Sequence, residues 1–482
     1  MFIATRYYLS LSFCVVATPF GRNTRIREKF LFLRLIQHTT MKSLSLLLRC
    51  CFAFAIITGL QSCSKKPAGI NPSGPPTITG VSNFIAGIGY NVVIAGTNFS
   101  TQASNNSVTI DNVPMIVVAS TSTQISFYST NAVNGILSVS VNGKNASFGT
   151  AIRIISLTAS TLAGSGGIGS DNGPGISATF NGPWGCAVGP DGNLYVADAG
   201  NNKIRKVATD GTVSTVAGTG TQGNNDGAAA SATFNTPYGI TVDNSGNIFV
   251  SELGTDNIRK ITPNGTVSTF AGSPTGRVGA NDGNDTSASF NNPLGMTTDA
   301  NGNVYVADAA NNVIRKITPA RVVTTLAGTG FAGATNGSTS SATFNTPLSI
   351  AIDASGNLFI TEKNNFDIRK IDVGGNVTTV AGTGQAGSAD GQGTAAAFNY
   401  PVGIVTDGNG NLFVTDNGYG TIRMITSGGF VATVAGNGTQ TSMDGIGYGA
   451  GFNNPLGLSI DAGGALYVMD FSSNKVRKVV IQ

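Results

Sequence analysis

The stretch FNGPWGCAVGPDGNLYVADAGNNKIRKV, residues 180–207, is the first of six similar copies along the chain. Its Phe-Asn-x-Pro start recurs at steps of 54 or 56 residues, at Phe180, Phe234, Phe290, Phe344, Phe398 and Phe452. Each of the first five copies contains four runs rich in Val, Ile and aromatic residues, separated by Gly- and Asn-rich turns. Four strands in each long repeat are typical of β-propeller blades. The repeats therefore predict a six-bladed propeller.

The last copy ends at Gln482 after its third strand, and the missing fourth strand is found far upstream. Residues 159–164, ASTLAG, align with residues 213–218, VSTVAG, at the end of the first full copy. We therefore expect residues 155–164 to form the outer strand of the sixth blade, so that residues 155–482 make up the propeller. A ring closed in this way has no free sheet edge.

Short motifs within the copies resemble NHL repeats. They are DGNLYVAD at 191–198, NNKIRKV at 201–207 and VAGTG at 216–220, and related strings stand in the other copies. The resemblance covers about 330 residues and implies an NHL-type propeller.

Residues 76–154 precede the repeats and alternate short β-rich runs with Gly- and Asn-rich turns. This period-2 pattern predicts a small β-sandwich. The string Gly96-Thr97-Asn98-Phe99-Ser100, together with the spaced apolar pairs that follow it, resembles an IPT/TIG domain, which implies an immunoglobulin-like fold. The fold class is therefore all-β, with an Ig-like sandwich followed by the propeller.

The N-terminal region has the layout of an export signal. Positive charge and an apolar run follow Met41, and the run ends in Leu60-Gln61-Ser62-Cys63, which resembles a bacterial lipobox. We interpret residues 1–40 as a mis-assigned upstream extension, 41–62 as a lipoprotein signal peptide and 63–75 as a flexible tether. The resemblance implies a protein lipidated at Cys63 and anchored in the bacterial cell envelope, at the outer membrane. A plain signal peptide and a single membrane anchor remain alternatives.

Charge and residue usage exclude several classes of function. Residues 63–482 carry 20 Lys/Arg and 23 Asp/Glu, and this mildly acidic body argues against a nucleic-acid partner. The only histidine, His38, and four of the five cysteines lie within residues 1–63, which leaves Cys186. The sequence therefore predicts no disulfide, no His-dependent nucleophile and no imidazole metal site. We expect a monomer.

Every copy has an acidic residue at the end of its second strand and an arginine seven residues later. The pairs are Asp198 and Arg205, Glu252 and Arg259, Asp308 and Arg315, Glu362 and Arg369, Asp416 and Arg423, and Asp470 and Arg477. We interpret them as one structural ion pair per blade. A binding site is expected to differ in at least one blade, whereas these pairs have the same spacing in all six. A binding ring is the alternative.

The long loops between copies place acidic or amide residues at one apparent position: Asp171, Asp226, Asp282, Asn336, Asp390 and Asp444. Such a ring of oxygens would suit Ca²⁺. Independent turn caps are the preferred interpretation, so we predict no cofactor and no metal.

Aromatic residues break the repeat pattern near the start of the first strands and in the loops between the second and third strands. The candidate ligand-binding residues are Trp184, Tyr238, Tyr400, Phe366, Tyr419 and Phe471. Aromatic rings at these places suit sugars or peptide side chains, and blade packing is the alternative.

No carboxylate pair stands apart from the repeats as a general acid and base, so no catalytic residue is predicted. The sequence favours a non-catalytic binding or scaffold lipoprotein whose propeller face recognises a glycan or protein ligand. The alternative is a propeller enzyme, a gluconolactonase-like hydrolase or a lyase, with a metal site at the channel mouth.

Overall fold

The computed structural model describes residues 72–481. The interpretations of residues 1–40 and 41–62, of Cys63 and of the tether up to residue 71 concern residues outside that range. The described residues form β-strands joined by turns and short 3₁₀ segments. These segments are Ala103–Asn105, Gly175–Ser177, Ala199–Asn201, Asp285–Ser287, Ala309–Asn311, Gly393–Ala395, Asn417–Tyr419, Gly447–Gly449 and Phe471–Ser473. Within residues 72–481, no helix is long and apolar enough to cross a membrane.

The first part is a two-sheet sandwich. One sheet contains, in spatial order, Thr77–Val81, Val92–Thr97, Gln124–Tyr128 and Ile116–Ser120. The other contains Ile85–Gly87, Lys144–Ile155, Val133–Val141, Asn106–Ile110 and Val113–Pro114. Alternate residues of these strands point inward, and the core includes Phe99, Ile110 and Phe127. The predicted Ig-like sandwich is confirmed.

The second part is a ring of six antiparallel blades. The first strands are Pro183–Val188, Pro237–Val242, Pro293–Thr298, Pro347–Ile352, Pro401–Thr406 and Pro455–Ile460. The second strands are Leu194–Asp198, Ile248–Glu252, Val304–Asp308, Leu358–Glu362, Leu412–Asp416 and Leu466–Asp470. The third strands are Lys203–Val207, Asn257–Ile261, Val313–Ile317, Asp367–Ile371, Thr421–Ile425 and Lys475–Ile481. The predicted six-bladed propeller is confirmed.

The fourth strands complete the blades. They are Val213–Ala217, Thr266–Ala271, Val322–Ala327, Asn376–Ala381, Phe430–Ala435 and, for the sixth blade, Leu157–Ala163. Short strands add to the outer edges of blades two to six: Gly227–Ala228, Gly283–Asn284, Gly337–Ser338, Gly391–Gln392 and Gly445–Ile446. Leu157–Ala163 pairs antiparallel with Lys475–Ile481, so the sixth blade joins the two ends of the propeller sequence.

The phenylalanine of each Phe-Asn-x-Pro motif lies buried between neighbouring blades. All six are fully buried, and each ring lies under the arginine of its repeat at 5.0–5.3 Å from the guanidinium carbon. Burying one such side chain stabilises a fold by about 1.5–3 kcal/mol. The motif therefore recurs because each junction between neighbouring blades buries the same phenylalanine side chain.

The sandwich packs directly against the fifth and sixth blades. The Tyr448 backbone N–H donates to the Ile88 carbonyl at 3.0 Å, and the Tyr90 and Tyr448 rings meet edge to face at 5.6 Å. The Asn83 amide donates to the Asp390 carboxylate at 3.2 Å. Gly447 is required here, because a Cβ atom would lie 2.3 Å from the Ile88 carbonyl oxygen. The two domains therefore share a specific contact rather than only a linker.

Candidate functional site

Each strand-end acid lies within ion-pair distance of the arginine seven residues later. The nitrogen-to-oxygen distances are 2.7 Å for Arg205, 3.1 Å for Arg259, 2.8 Å for Arg315, 2.8 Å for Arg369, 3.0 Å for Arg423 and 2.9 Å for Arg477. All twelve side chains are almost completely buried. Each arginine also donates to two backbone carbonyls of its loop, as Arg315 does to Ser289 and Asn281 at 2.9 Å. The pairs therefore fasten the long loops to the blades.

The loop carboxylates serve the same arginines. Asp226, Asp282, Asp390 and Asp444 each accept a bond from the second guanidinium nitrogen of their blade, at 2.7–2.8 Å. In blades one and four, Asn172 and Asn336 take this place. The expected ring is therefore wrong in one member: Asn172, not Asp171, stands 33 residues before its arginine as the others do.

These loop oxygens are separated by blade, each directed toward its own arginine. In the part of the chain that the structure describes, no group of three or more His, Cys, Asp or Glu residues is arranged to hold a metal ion.

Blade four contains an acid pair that sequence reasoning missed. Asp367 lies opposite Glu362 in the strand register and is 3% exposed, and its Oδ1 atom has no hydrogen-bond partner. Burial, followed by the charge of Glu362, raises the pKa of Asp367 to about 9. Blade two has Asn257 at the same register position, and its amide donates to Asn224 at 3.3 Å. An alignment of the copies would have revealed the pair, because blade four has an acid where blade two has an amide.

We expect Asp367→Asn to stabilise the protein at alkaline pH. Between the ordinary value near 4 and about 9, folded Asp367 holds a proton that the unfolded chain releases, so the free energy of unfolding falls as pH rises. Asparagine cannot titrate, so the substitution should raise the free energy of unfolding by about 1–3 kcal/mol at pH 8. Denaturant unfolding from pH 5 to 9 measures it, with the exposed Asp171→Asn as control. An unchanged pH slope in Asp367→Asn would contradict the assignment.

The starts of the six first strands converge at one end of the central channel. The side chains between Pro and Gly, or Ser349 in blade four, form one apolar cluster there. Its members are Trp184, Tyr238, Leu294, Leu348, Val402 and Leu456, with Leu253, Ala309, Tyr400 and Phe471 packed against them. We call this cluster the mouth cluster.

Four of the six predicted aromatic residues, Trp184, Tyr238, Tyr400 and Phe471, lie in the mouth cluster, and the Trp184 ring contacts two of the others. The ring centroids of Trp184 and Tyr238 are 3.7 Å apart, and those of Trp184 and Phe471 are 5.6 Å apart. Trp184 is only half-buried, whereas Tyr238 is 9% exposed. Burial, and then the nearby Tyr400, raise the pKa of Tyr238 well above its ordinary value. Tyr238 therefore packs against the Trp184 ring and has little exposed surface of its own to offer a ligand.

Phe366 and Tyr419 lie outside the mouth cluster, half-buried in the loops between the second and third strands. Phe366 has a φ of 51° and Tyr400 one of 68°, in a region that bulky residues rarely adopt. At the matching position of blade one, Asn202 accepts a bond from the backbone N–H of Thr236 in the next blade at 2.9 Å. The side chain of Phe366 has no hydrogen-bond acceptor, so the junction of blades four and five lacks this side-chain bond.

Lys363 is a mouth residue that sequence reasoning missed. It directly follows the strand-end acid Glu362, at the position occupied by Phe471 in blade six and Leu253 in blade two. Its Nζ atom lies 4.9 Å from the centroid of the Tyr400 ring, a cation–π distance. Aligning this position across the copies would have shown the single charge.

Beyond the mouth cluster, the channel contains a cavity of about 330 Å³ lined by the first strands. Small and hydroxyl side chains such as Thr241, Thr297 and Ser459 contribute to its wall, with no charged group among them. Cys186 also lines it but is 7% exposed, and burial raises the pKa of its thiol well above the ordinary value.

Comparisons with known proteins agree with this architecture. The family model "IPT/TIG domain" matches residues 76–153, and the model "NHL repeat" matches residues 180–207. The chain is 32% identical over 228 residues to the chloroplastic protein SUPPRESSOR OF QUENCHING 1 of Arabidopsis thaliana, covering 44% of this chain and 22% of that protein. It is 30% identical over 261 residues to NHL repeat-containing protein 2 of Homo sapiens, covering 46% and 36%. The chain thus spans well under half the length of these relatives.

Solved structures share the fold over most of the chain. A protein of unknown function from Bacteroides thetaiotaomicron has a TM-score of 0.53 at 19% identity, covering 87% of this chain and all of that one. An auxiliary nutrient binding protein from the same species has a TM-score of 0.52 at 18% identity, covering 85% and 98%. One from Bacteroides ovatus has a TM-score of 0.51 at 17% identity, covering 86% and 99%. The matched models and the observed blades agree: an IPT/TIG domain at residues 76–153 precedes a six-bladed β-propeller that contains an NHL repeat at residues 180–207.

Proposed function

We propose that this chain is a non-catalytic binding protein whose propeller recognises a glycan at the channel mouth. The observation that carries the proposal is the half-buried Trp184, which rests on Tyr238 and meets Phe471 edge to face. An indole held rigidly in this way offers a flat apolar face that suits the C–H surface of a sugar ring. The half-buried asparagines of the Phe-Asn-x-Pro motifs stand two residues before the first strands and offer amide groups for hydroxyls.

The auxiliary nutrient binding proteins named above support a binding role, since they share this chain's fold. Their names say nothing of a particular ligand, so the proposal rests on the mouth itself.

A protein ligand is the second candidate, and exposed apolar side chains on the long loops favour it. Ile168 is 76% exposed and Phe331 is 77% exposed, and both lie in loops that lead into first strands. Exposed apolar side chains of this size are common in protein interfaces. Capture of a protein rather than a glycan by the immobilised chain would favour this alternative.

We also propose that the protein is a monomer anchored in the bacterial cell envelope through a lipid on Cys63. The support is the apolar run that ends in Leu60-Gln61-Ser62-Cys63. Metabolic labelling with an alkynyl fatty acid tests this placement: the wild-type protein should be labelled and Cys63→Ala should not.

We expect Trp184→Ala to weaken glycan binding by about 1–3 kcal/mol, which is roughly 5- to 160-fold in Kd, because the flat contact face is lost. A glycan array supplies the probe, and titration calorimetry measures the Kd of the strongest hit. Tyr419→Ala, an aromatic residue outside the mouth cluster, is the control and should change Kd little. A Trp184→Ala protein with a lowered Tm and an unchanged Kd would show that Trp184 belongs only to the core.

A further inference from the structure

Two residues from each blade define the mouth, and only one of these twelve side chains is charged. The first set lies at the start of the first strands: Trp184, Tyr238, Leu294, Leu348, Val402 and Leu456. The second set directly follows the strand-end acids: Ala199, Leu253, Ala309, Lys363, Asn417 and Phe471. Members of both sets pack together in the mouth cluster. Apart from the amide of Asn417, the other side chains are apolar or aromatic, so Lys363 places a single ammonium group beside a largely apolar surface.

The charge of Lys363 is not balanced by the acids nearest to it. Glu362 precedes it but points into the blade, since successive strand residues face opposite sides, and pairs with Arg369 at 2.8 Å. Asp367 is buried under the same loop. Within the described residues, Lys363 forms no ion pair, and its Nζ atom lies 4.9 Å from the centroid of the Tyr400 ring.

The backbone around Lys363 is held in place, so its side chain starts from a fixed point. The Lys363 N–H donates to the Thr346 carbonyl at 3.1 Å. The next residue, Asn364, donates to the side-chain oxygens of Asn345 at 3.2 Å and Thr346 at 2.9 Å. On the other side, the ring of Tyr400 supports the ammonium group. A ligand anion would therefore meet a pre-positioned cation with an aromatic wall behind it.

We propose that the mouth binds an acidic glycan, in which Lys363 takes the carboxylate of a uronic acid residue while Trp184 and Tyr400 contact sugar rings. This inference rests on the proposed glycan-binding function. The single ammonium group of Lys363 can pair with one carboxylate. The attraction between the two charges is stronger in a mouth lined mainly by apolar side chains, because water screens the charges less there. A neutral glycan would leave the ammonium partly desolvated and without a partner, which disfavours it.

The test compares each acidic oligosaccharide with its own carboxyl-reduced form, which keeps the linkage and loses the charge. Probes are oligogalacturonate, glucuronoxylan and alginate fragments, measured by titration calorimetry on the whole protein. We expect at least one acidic form to bind at least tenfold more tightly than its reduced form, and this preference should weaken as NaCl is added. Lys363→Met should remove the preference, and Lys363→Arg should retain most of it.

A matched control is available in Lys370, whose Nζ atom lies 5.8 Å from the Phe359 ring, away from the mouth cluster. Lys370→Met should keep both binding and the preference. Equal binding of acidic and reduced forms, with no effect of Lys363→Met, overturns the acidic-glycan inference and leaves glycan binding intact. Failure of every oligosaccharide in either form overturns the proposed function itself. Should Lys363→Met fail to fold, the comparison of acidic with reduced forms and the Lys363→Arg variant still decide the question.

Discussion

A chain that begins at residue 165 should fail to form a monomeric propeller, whereas one that begins at residue 151 should fold. The difference between them is the strand Leu157–Ala163, which pairs with Lys475–Ile481 from Leu157↔Ile481 to Ala163↔Val476. Leu157 and Ala163 are fully buried, and Leu157 belongs to the core between blades five and six. Losing one buried leucine costs about 2–5 kcal/mol, and the whole fold is stabilised by only about 5–15 kcal/mol.

The exposed edge adds a second penalty. Without Leu157–Ala163, the backbone groups of Lys475–Ile481 lack a partner and can pair with another chain. Light scattering after gel filtration and thermal unfolding distinguish the outcomes: aggregation or a loss of cooperative melting for the shorter chain, and a cooperative monomer for the longer one. Both chains lack the sandwich, so its contact with blades five and six is absent from both and cannot cause the difference between them. A cooperatively melting monomer that begins at residue 165 would show that closure is dispensable.

Repetition explains why so much of the fold could be predicted. The outer strand of blade six was recognisable because residues 159–164 copy a string that ends five other blades. The ion pairs were recognisable because the spacing of seven never changes. In each case, every blade needs the same structural feature, so the residues that supply it recur six times and stand out from positions that vary.

What distinguishes one blade from another was harder to predict. Lys363 and Asp367 are single departures from the repeat, and their importance depends on burial and on neighbours that only the folded ring supplies. The loop register was also misjudged at Asp171, because a Gly-rich loop aligns equally well one residue away. Its arginine, rather than the acid itself, fixes the register.

The contact between the sandwich and the propeller was not predicted at all. Tyr90 and Tyr448 lie more than 350 residues apart in sequence, and neither belongs to a repeated motif. Such a contact depends on the relative placement of two domains, for which a period or a composition gives no signal. The contact gives the sandwich a defined orientation relative to the propeller.

Arg315→Met should destabilise the protein by about 3–5 kcal/mol while leaving glycan affinity per folded molecule unchanged. The guanidinium donates to Asp308 and Asp282 at 2.8 Å and to two loop carbonyls, and it lies 5.1 Å from the centroid of the Phe290 ring. Removing it leaves the buried Asp308 without its cation, and an unpaired buried charge is the costly case. Methionine keeps most of the volume, so the loss reports on the charge rather than on a cavity.

The pH dependence and a control sharpen this last prediction. Burial already raises the pKa of Asp308, and the Arg315 charge opposes that rise. Without Arg315 the folded pKa should rise further, so the deficit in unfolding free energy should grow from pH 5 to pH 8 as the unfolded chain releases its proton. Arg277→Met, in an exposed loop where the guanidinium makes one bond to the Ser287 carbonyl, should change stability by less than about 0.5 kcal/mol. A deficit that is small or independent of pH would mean that the six buried pairs fix the register of the loops without supporting the stability of the ring.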